Sequence, residues 1–540
     1  MFYFILRLIV LYLTLLIRSS VTVSSVPHQR LIFNLSTPDE DNQKQNVFTT
    51  KFNLTKGQVI IDIINATSDN GFFVIQAHSF QYNISLSNTQ EFKTDSVVVG
   101  TNIGLVESPL MTKTLYRYYL SNAETPNVDV FLAVIVYEES DPIPGGCNMV
   151  FNTHYAPYQI ITYDENMITV DASPAKASSC DILTLPRLDM YHLYLEEETF
   201  DKNTYFNGIA NFLTVKHIKK YGTKVSDSVK HLPLRRYYNA YKSTGTIFAI
   251  IANSHNYSSA YVPAVSYACD INNWEENCVG PVSMTWKLLF AVILFMGIFM
   301  CYFGHRFFRM AMFLFGFLFG SFIFYIAINI VNNVTVEQSV GYALIFGSVY
   351  GICWLLLWWR YGIPILSVSL PVIFIGYITG CLVFHTGVAD LGLFRSDVNY
   401  WSVLFCIIVP ITISLLLVTE FANILACGVV GATAVIIIVD YYIGASIRYI
   451  ILNNIRRAMV PKFYLAILDP PFQYKDIILC VVWTGLVLFG VLVQRKLQLG
   501  KPPFPPHRSL IRIPWERTPL LSQGVNSNSV GAFNENPTYT

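Results

Sequence analysis

The sequence predicts an all-α seven-helix transmembrane bundle preceded by a β-rich extracellular region of two tandem β-sandwiches. Of the 540 residues, 53% are hydrophobic and only 13% are charged, whereas soluble domains carry about 25% charged residues. Seven long apolar runs follow Trp286, and shorter β-branched runs punctuated by turn residues precede it. The net charge of +1 shows no basic surplus, so no nucleic-acid partner is expected.

Each long apolar run is close to the roughly 20 residues that an α-helix needs to cross the hydrocarbon core. Backbone groups must be paired internally in lipid, so such runs are expected to be helical. The predicted cores are Leu288–Phe303, Met310–Val331, Ser339–Trp358, Ile363–Phe384, Trp401–Val418, Phe421–Tyr442 and Ile477–Val493. They predict a domain embedded in the lipid bilayer over 286–494 and a cytoplasmic tail over 495–540.

Residues 1–25 have the organisation of a signal peptide, because Arg7 precedes an apolar core from Leu8 to Ile17 and small residues follow. Cleavage after Ser20 fits equally, and an uncleaved anchor is the alternative. Sequons agree with secretion, and each is predicted to carry an N-linked glycan. They are Asn34, Asn53, Asn65, Asn83 and Asn256 before the first span, and Asn333 between spans 2 and 3.

Four cysteines, Cys147, Cys180, Cys269 and Cys278, precede the first span. In an oxidising compartment they predict two disulfides, for which three connectivities exist. Short sequence separation favours Cys147–Cys180 and Cys269–Cys278. The remaining cysteines lie in or beside the apolar runs, where packing is the expected role.

Apolar runs at 71–77, 130–136 and 246–251 predict strands on both sides of a rigid breaker at 141–146. Because no helices alternate with them, we predict β-sandwiches over 26–142 and 143–285. One amphipathic helix is expected near Phe206–Lys220. The acidic run Glu196-Glu197-Glu198 is expected to be a solvated face, with a calcium site as the alternative.

The segment 443–476 between spans 6 and 7 contains helical spacing of apolar residues through Met459. It predicts either an amphipathic helix on the outer membrane face or an ordinary structured loop. Glycines four residues apart, Gly316/Gly320, Gly347/Gly351 and Gly376/Gly380, predict close packing of spans 2, 3 and 4. Asp440 near the outer end of span 6 is either a cation or proton site or an interfacial carboxylate that faces headgroups or pairs with Arg448.

Catalytic patterns such as His-Glu-x-x-His, Walker A and Gly-x-Ser-x-Gly do not occur in the sequence, so no enzyme, cofactor or metal is predicted. In the tail, Glu516 with Leu520 and Leu521 fits an acidic dileucine motif that clathrin adaptors bind. Asn536, Pro537 and Tyr539 fit an Asn-Pro-x-Tyr turn. Both predict endocytic cycling between the cell membrane and endosomes or lysosomes.

Several segments together resemble the transmembrane seven superfamily member three family. They occur in the family's order at 141–148, 260–263, 267–269, 303–307, 358–360, 504–507 and 516–521. The resemblance implies a plasma-membrane glycoprotein with a role in cell survival, through attenuation of endoplasmic-reticulum stress and the unfolded protein response. It implies no catalytic residue. The terminal Asn-Pro-Thr-Tyr is not a feature we associate with the family.

These observations predict a non-enzymatic, receptor-like or scaffolding membrane glycoprotein whose extracellular region binds an unidentified extracellular or lumenal protein. The alternative is an ion channel or small-solute transporter with Asp440 in its path. The scarcity of ionisable residues within the apolar runs argues against that alternative.

Overall fold

The structure is a computed structural model, and it describes residues 29–35, 47–66, 71–93, 96–110, 113–147, 158–181, 183–225, 234–242, 244–278, 283–331 and 334–499. The predicted signal peptide and the predicted sorting residues lie outside these ranges, as does Asn333. The chain folds as two compact units. The first contains Met1–Met296, Ile378–Phe405 and Thr433–Thr484, and the second contains Gly297–Tyr377, Cys406–Ala432 and Gly485–Thr540.

The N-terminal β-domain is built on two long antiparallel strands, β2 (Val47–Ile64) and β7 (Leu115–Tyr137). The remaining strands are β1 (Arg30–Asn34), β3 (Phe72–Ser79), β4 (Ile84–Ser87), β5 (Val97–Gly100) and β6 (Asn102–Glu107). The order β1-β2-β7-β3-β6 forms the main path, and β4 pairs with both β5 and the first half of β7. One core, which includes Ile61, Phe73 and Leu86, is enclosed by both branches.

The second β-domain contains the strands β8 (Gln159–Tyr163), β9 (Met167–Ala172), β10 (Arg187–Tyr194), β11 (Thr223–Lys224), β12 (Leu234–Asn239), β13 (Thr246–Ser254), β14 (Tyr257–Ala260), β15 (Ala264–Ser266) and β16 (Ala466–Ile467). They form two sheets. One has the order β11-β10-β13-β14 with β15 paired to β13, and the other has the order β16-β12-β9-β8. The three strands predicted from apolar runs are confirmed as parts of β3, β7 and β13.

Two short helices replace the single helix predicted near Phe206–Lys220. They span Lys202–Ala210 and Val215–Tyr221. The helix is interrupted at Thr214, whose backbone is extended. The Thr214 hydroxyl accepts a hydrogen bond from the N–H of His217 and so caps the start of the second helix. A short helix at Trp274–Asn277 precedes the first span.

The two β-domains share a buried core. Alternate residues of β3 and β7, such as Val74 and Phe131, belong to the same apolar cluster as Phe206 and Ile209 of the first short helix. Because side chains alternate between the faces of a strand, these strands supply one face to their own core and the other to the second domain. The β-rich region is therefore packed as one body.

Within the described residues, seven helices are long and apolar enough to cross a membrane. These spans 1–7 are Met284–Phe303, Phe308–Val331, Val336–Tyr361, Pro364–His385, Asp397–Leu416, Thr419–Ile443 and Tyr474–Gln498. Every predicted apolar core falls mainly within one of them. This confirms the predicted fold class, a β-rich N-terminal region followed by a seven-helix bundle.

Spans 2 and 3 pack closely against each other through the predicted glycines. A Cβ on Gly351 would lie 2.8 Å from the carbonyl oxygen of Phe313, and one on Gly316 would lie 3.0 Å from the Cα of Gly351. The glycine of span 4 differs, because Gly376 lies against Ile408 of span 5. Span 4 contacts span 2 through rings instead, as between Phe374 and Phe315.

The two disulfides have the favoured connectivity, Cys147–Cys180 and Cys269–Cys278. The first fastens the breaker segment to the turn before β10. The second closes the short segment that leads to span 1. Of the cysteines in the spans, Cys301, Cys381 and Cys427 are buried.

Candidate functional site

The connection between spans 6 and 7 (444–473, the 6–7 connection) contributes a strand to the second β-domain. Ala466 and Ile467 form β16, which pairs in parallel with Tyr237 and Tyr238 of β12. More than two hundred residues separate the two strands in sequence. We call the region where residues of the second β-domain contact the 6–7 connection, residues 444–473, the junction.

Arg456 holds the junction on one side of β12. It lies on the connecting helix, Tyr449–Met459, and its guanidinium is buried. It donates to Asn239 Oδ1 at 2.6 Å, to the carbonyl of Ala240 at 3.0 Å and to the carbonyl of Glu165 at 3.1 Å. A guanidinium carries five donors in a planar fork, so one side chain can bind several acceptors at once.

Hydrogen bonds to the end of the 6–7 connection hold the other side of the junction. His192 Nε2 lies 3.0 Å from Asp469 Oδ2, and the Tyr194 hydroxyl donates to the Asp469 carbonyl at 2.6 Å. The hydroxyl of Tyr241 donates to the carbonyl of Leu468 at 2.7 Å. Burial raises the pKa of Tyr194 and Tyr241 above their ordinary value, so both hydroxyls remain donors.

The connection between spans 4 and 5 (386–396, the 4–5 connection) is tied to the same region. Asp390 accepts a hydrogen bond from the Leu468 N–H at 2.6 Å. Arg457 donates to the Phe394 carbonyl at 2.6 Å and to Asp397 at 3.1 Å, and its guanidinium lies 4.1 Å from the Tyr400 ring centroid. Burial raises the pKa of Asp390 to about 6, despite that hydrogen bond.

Three carboxylates meet at the base of the junction. Asp476 and Asp440 are fully buried, and Glu197 is 4% exposed. Asp476 accepts from the N–H groups of Ser446 and Gln473 at 2.7 and 2.9 Å. The prediction that the acidic run is solvated is therefore wrong for Glu197, because the chain turns there against span 7.

Asp440 pairs with Arg448, as the second of the two interpretations drawn from the sequence expected. It accepts from the backbone N–H groups of Ile447 and Arg448 at 2.9 and 3.3 Å, and its Oδ2 lies 3.8 Å from the Arg448 guanidinium. Both carboxylate oxygens therefore accept hydrogen bonds from the turn that follows span 6. Nothing in this arrangement supports the channel or transporter alternative.

The connecting helix is present where the spacing predicted it, but its polar face contacts protein. Arg456 and Arg457, with Asn453 and Asn454, are buried. Asn453 Oδ1 accepts from Asn239 at 2.8 Å, and the Asn454 amide lies 3.1 Å from Cys381 Sγ. The sequence interpretation missed these roles. The feature that could have indicated them was the concentration of arginine and asparagine on one face of an amphipathic helix.

Of the predicted glycosylation sites that the structure describes, Asn53 lies within β2, and the others lie at strand ends or in turns. Asn53, Asn65, Asn83 and Asn256 are exposed, whereas Asn34 is half-buried and its Oδ1 accepts from Asn65 Nδ2 at 2.8 Å. Within the described residues, no group of three or more His, Cys, Asp or Glu side chains could hold a metal ion.

The fold and the junction define a class, namely a multi-pass membrane protein with two tandem immunoglobulin-like domains before seven spans. Family models match 40–137 as a TM7SF3-like N-terminal immunoglobulin-like domain, 142–272 as the second such domain, and 290–495 as a TM7S3/TM198-like domain. The chain belongs to the transmembrane 7 superfamily member 3 family, as its motifs indicated.

Relatives support the same assignment along the length of the chain. Transmembrane 7 superfamily member 3 of Mus musculus is 30% identical over 475 residues, covering 85% of this chain and 84% of its own. The Homo sapiens protein of the same name is 28% identical over 457 residues, covering 82% and 80%. A putative β-galactosidase from Bacteroides fragilis aligns at 9% identity with a TM-score of 0.18, covering 41% of this chain and 32% of its own, and carries no argument.

Proposed function

We propose that this chain is a non-enzymatic, receptor-like or scaffolding membrane glycoprotein whose junction couples the immunoglobulin-like domains to the seven-helix domain. The observation that carries the proposal is β16, a strand supplied by the 6–7 connection to a sheet of the second β-domain. A partner that binds the β-rich region would act on the ends of spans 6 and 7 through this strand and through Arg456. A flexibly tethered domain would not transmit such a load.

The cellular role that we propose is support of cell survival by attenuation of endoplasmic-reticulum stress and the unfolded protein response. It is supported by family membership. The β-rich region would lie outside the cell or in the lumen, where a cleaved signal peptide, N-linked glycans and an unidentified protein partner belong. The contacts of that region with the 6–7 connection, which is itself bonded to the 4–5 connection, support this topology, because both connections fall on one side of an alternating seven-span chain.

Rescue of a null cell line tests the coupling. Cells lacking the chain would be treated with a glycosylation inhibitor, and unfolded-protein-response transcripts would be measured after expression of the wild type or of a Tyr237→Cys, Ala466→Cys variant. These two positions are paired across β12 and β16, so the variant is expected to form a disulfide and keep full attenuation. Each single substitution is the matched control.

Two results would contradict the proposal. If the cysteine pair fails to cross-link in cells while the protein reaches the surface, the junction does not form as described. If wild-type expression leaves the stress transcripts unchanged, the survival role is wrong. Proximity labelling from the β-rich region and from the tail, done separately, would identify the partner on each side.

We also propose endosomal or lysosomal cycling through clathrin adaptors that bind the tail. The acidic dileucine at Glu516, Leu520 and Leu521 supports it. Alanine at both leucines is expected to raise the surface level by slowing internalisation, measured by surface biotinylation. An unchanged level would eliminate the dileucine motif, and Tyr539→Ala would then test the Asn-Pro-x-Tyr turn.

A further inference from the structure

Glu197 is buried, and no described residue donates a hydrogen bond to its carboxyl group. It is 4% exposed, and neither carboxyl oxygen accepts from an N–H or O–H group within the described part of the chain. The backbone around it is fixed at both ends: the Glu197 N–H lies 3.3 Å from Gln473 Oε1, and its carbonyl accepts from Lys475 Nζ at 3.4 Å. An ionised carboxylate left unpaired in such a place is costly.

The groups that face Glu197 make ionisation harder still. Among charged groups, Asp476 of span 7 disfavours the ionised form of Glu197 most strongly, and Asp440 of span 6 adds a second negative charge. The opposing charge is Lys475, whose Nζ is also 3.9 Å from Glu198 and donates to the carbonyl of Ile443 at 3.1 Å. Arg448 is engaged with Asp440. Burial first, and then the charge of Asp476, raise the pKa of Glu197 to about 8.

We propose that Glu197 and Asp476 form a proton-binding site, in which a protonated Glu197 donates to the Asp476 carboxylate and thereby closes the base of the junction. One proton binds and no other bond is made or broken. Asp476 is already fixed by the N–H groups of Ser446 and Gln473, so the shared proton joins the segment after β10 to both ends of the 6–7 connection. Loss of the proton leaves two adjacent buried carboxylates, which repel each other.

The direction of the pH effect follows from the raised pKa. The closed junction binds the proton more tightly than an open, solvated one, so closure is favoured fully below pH about 4.5 and is progressively lost up to pH about 8. The junction is therefore tighter in an acidic endosome than at the cell surface. This inference rests on the proposed coupling, because it assigns a regulatory proton to the same junction.

Two measurements on the full chain in lipid nanodiscs test the proposal. Infrared difference spectroscopy between pH 6 and pH 9 detects loss of a carboxylic-acid C=O band, and Glu197→Gln identifies the band that belongs to Glu197. Hydrogen exchange is measured for β16 and the connecting helix. The rates are expressed as protection factors, because dividing by the intrinsic rate at each pH removes the intrinsic pH dependence of exchange. Protection in the wild type is expected to fall roughly 10- to 100-fold from pH 6 to pH 9.

Glutamine at 197 keeps a donor for Asp476 and cannot ionise, so its protection is expected to stay at the pH 6 level throughout. Glu198→Gln is the matched control and should retain the wild-type fall. The proposal is overturned if no Glu197 band disappears, or if it disappears while protection remains constant. Either result differs from failure of the Tyr237–Ala466 cross-link, which would instead contradict the coupling itself.

Discussion

The guanidinium of Arg456 lies 2.6 Å from Oδ1 of Asn239, 217 residues earlier in the chain. The amide of the same Asn239 donates to Asn453, one turn from Arg456 on the connecting helix. A residue at the end of β12 is thus held between two side chains from the 6–7 connection. The 6–7 connection is therefore packed as part of the second β-domain rather than as a helix lying on the membrane surface.

Replacing Arg456 with alanine is expected to destabilise the junction by about 2–4 kcal/mol, because three acceptors, two of them buried, would lose their donor. Thermal unfolding of the full chain in nanodiscs measures the loss. Arg235→Ala is the matched control. Arg235 pairs with Asp171 on an exposed face, where removal costs about 1 kcal/mol or less. Equal effects of the two substitutions would mean that Arg456 is not an anchor.

His78 is expected to make the β-rich region sensitive to acid. It is fully buried, with Nδ1 2.8 Å from Asn102 Oδ1, which also accepts from the Tyr205 hydroxyl of the second β-domain. Burial lowers the pKa of His78 to about 4. The neutral ring therefore stabilises the fold above pH 6.5, and that contribution is lost as the pH falls toward 4, by up to about 3 kcal/mol.

The measurement is the melting temperature of the wild type and of His78→Gln between pH 7.5 and pH 4. The variant is expected to melt lower at neutral pH but to show a shallower decline on acidification. His217→Gln, on the surface helix Val215–Tyr221, should follow the wild type. A parallel decline in all three proteins would assign the acid sensitivity to other groups.

Alanine at Gly351 is expected to loosen the contact of spans 2 and 3 by about 1–3 kcal/mol, because the new methyl group meets the Phe313 carbonyl and ring. The change would appear as faster unfolding in denaturing detergent. Gly485→Ala in span 7 provides the control, since a Cβ there meets nothing within 4 Å. If the two variants unfold at the same rate, the glycine contact does not limit stability.

The β-rich region secreted alone, over 26–283, is expected to be less stable than in the full chain. Without β16, strand β12 becomes an unpaired sheet edge, and exposed edges promote association between chains. Light scattering would report this association. A fusion that restores 444–473 after residue 283 should reduce it, whereas the same segment with Ala466→Pro and Ile467→Pro, which removes two backbone donors, should not.

Much of the architecture could be predicted from local sequence. The seven spans follow from apolar length, because lipid admits only helices whose backbone is satisfied internally. Strands such as β3 and β13 follow from β-branched runs. The close packing of spans 2 and 3 at Gly316 and Gly351 follows from the spacing of the glycines. The helix near residue 206 was predicted as one, since the interruption depends on the cap at Thr214 rather than on hydropathy.

Hydropathy and residue propensity along the chain are enough to predict which half of the protein lies in lipid, which class of element each segment forms and which cysteines pair at short separation. Folding brings Arg456 to Asn239, adds Ala466 to the sheet of β12 and buries Glu197 against Asp476. These contacts could not be predicted, because hydropathy and propensity act over a few neighbouring residues, whereas the contacts join segments that are far apart in sequence and close only after folding.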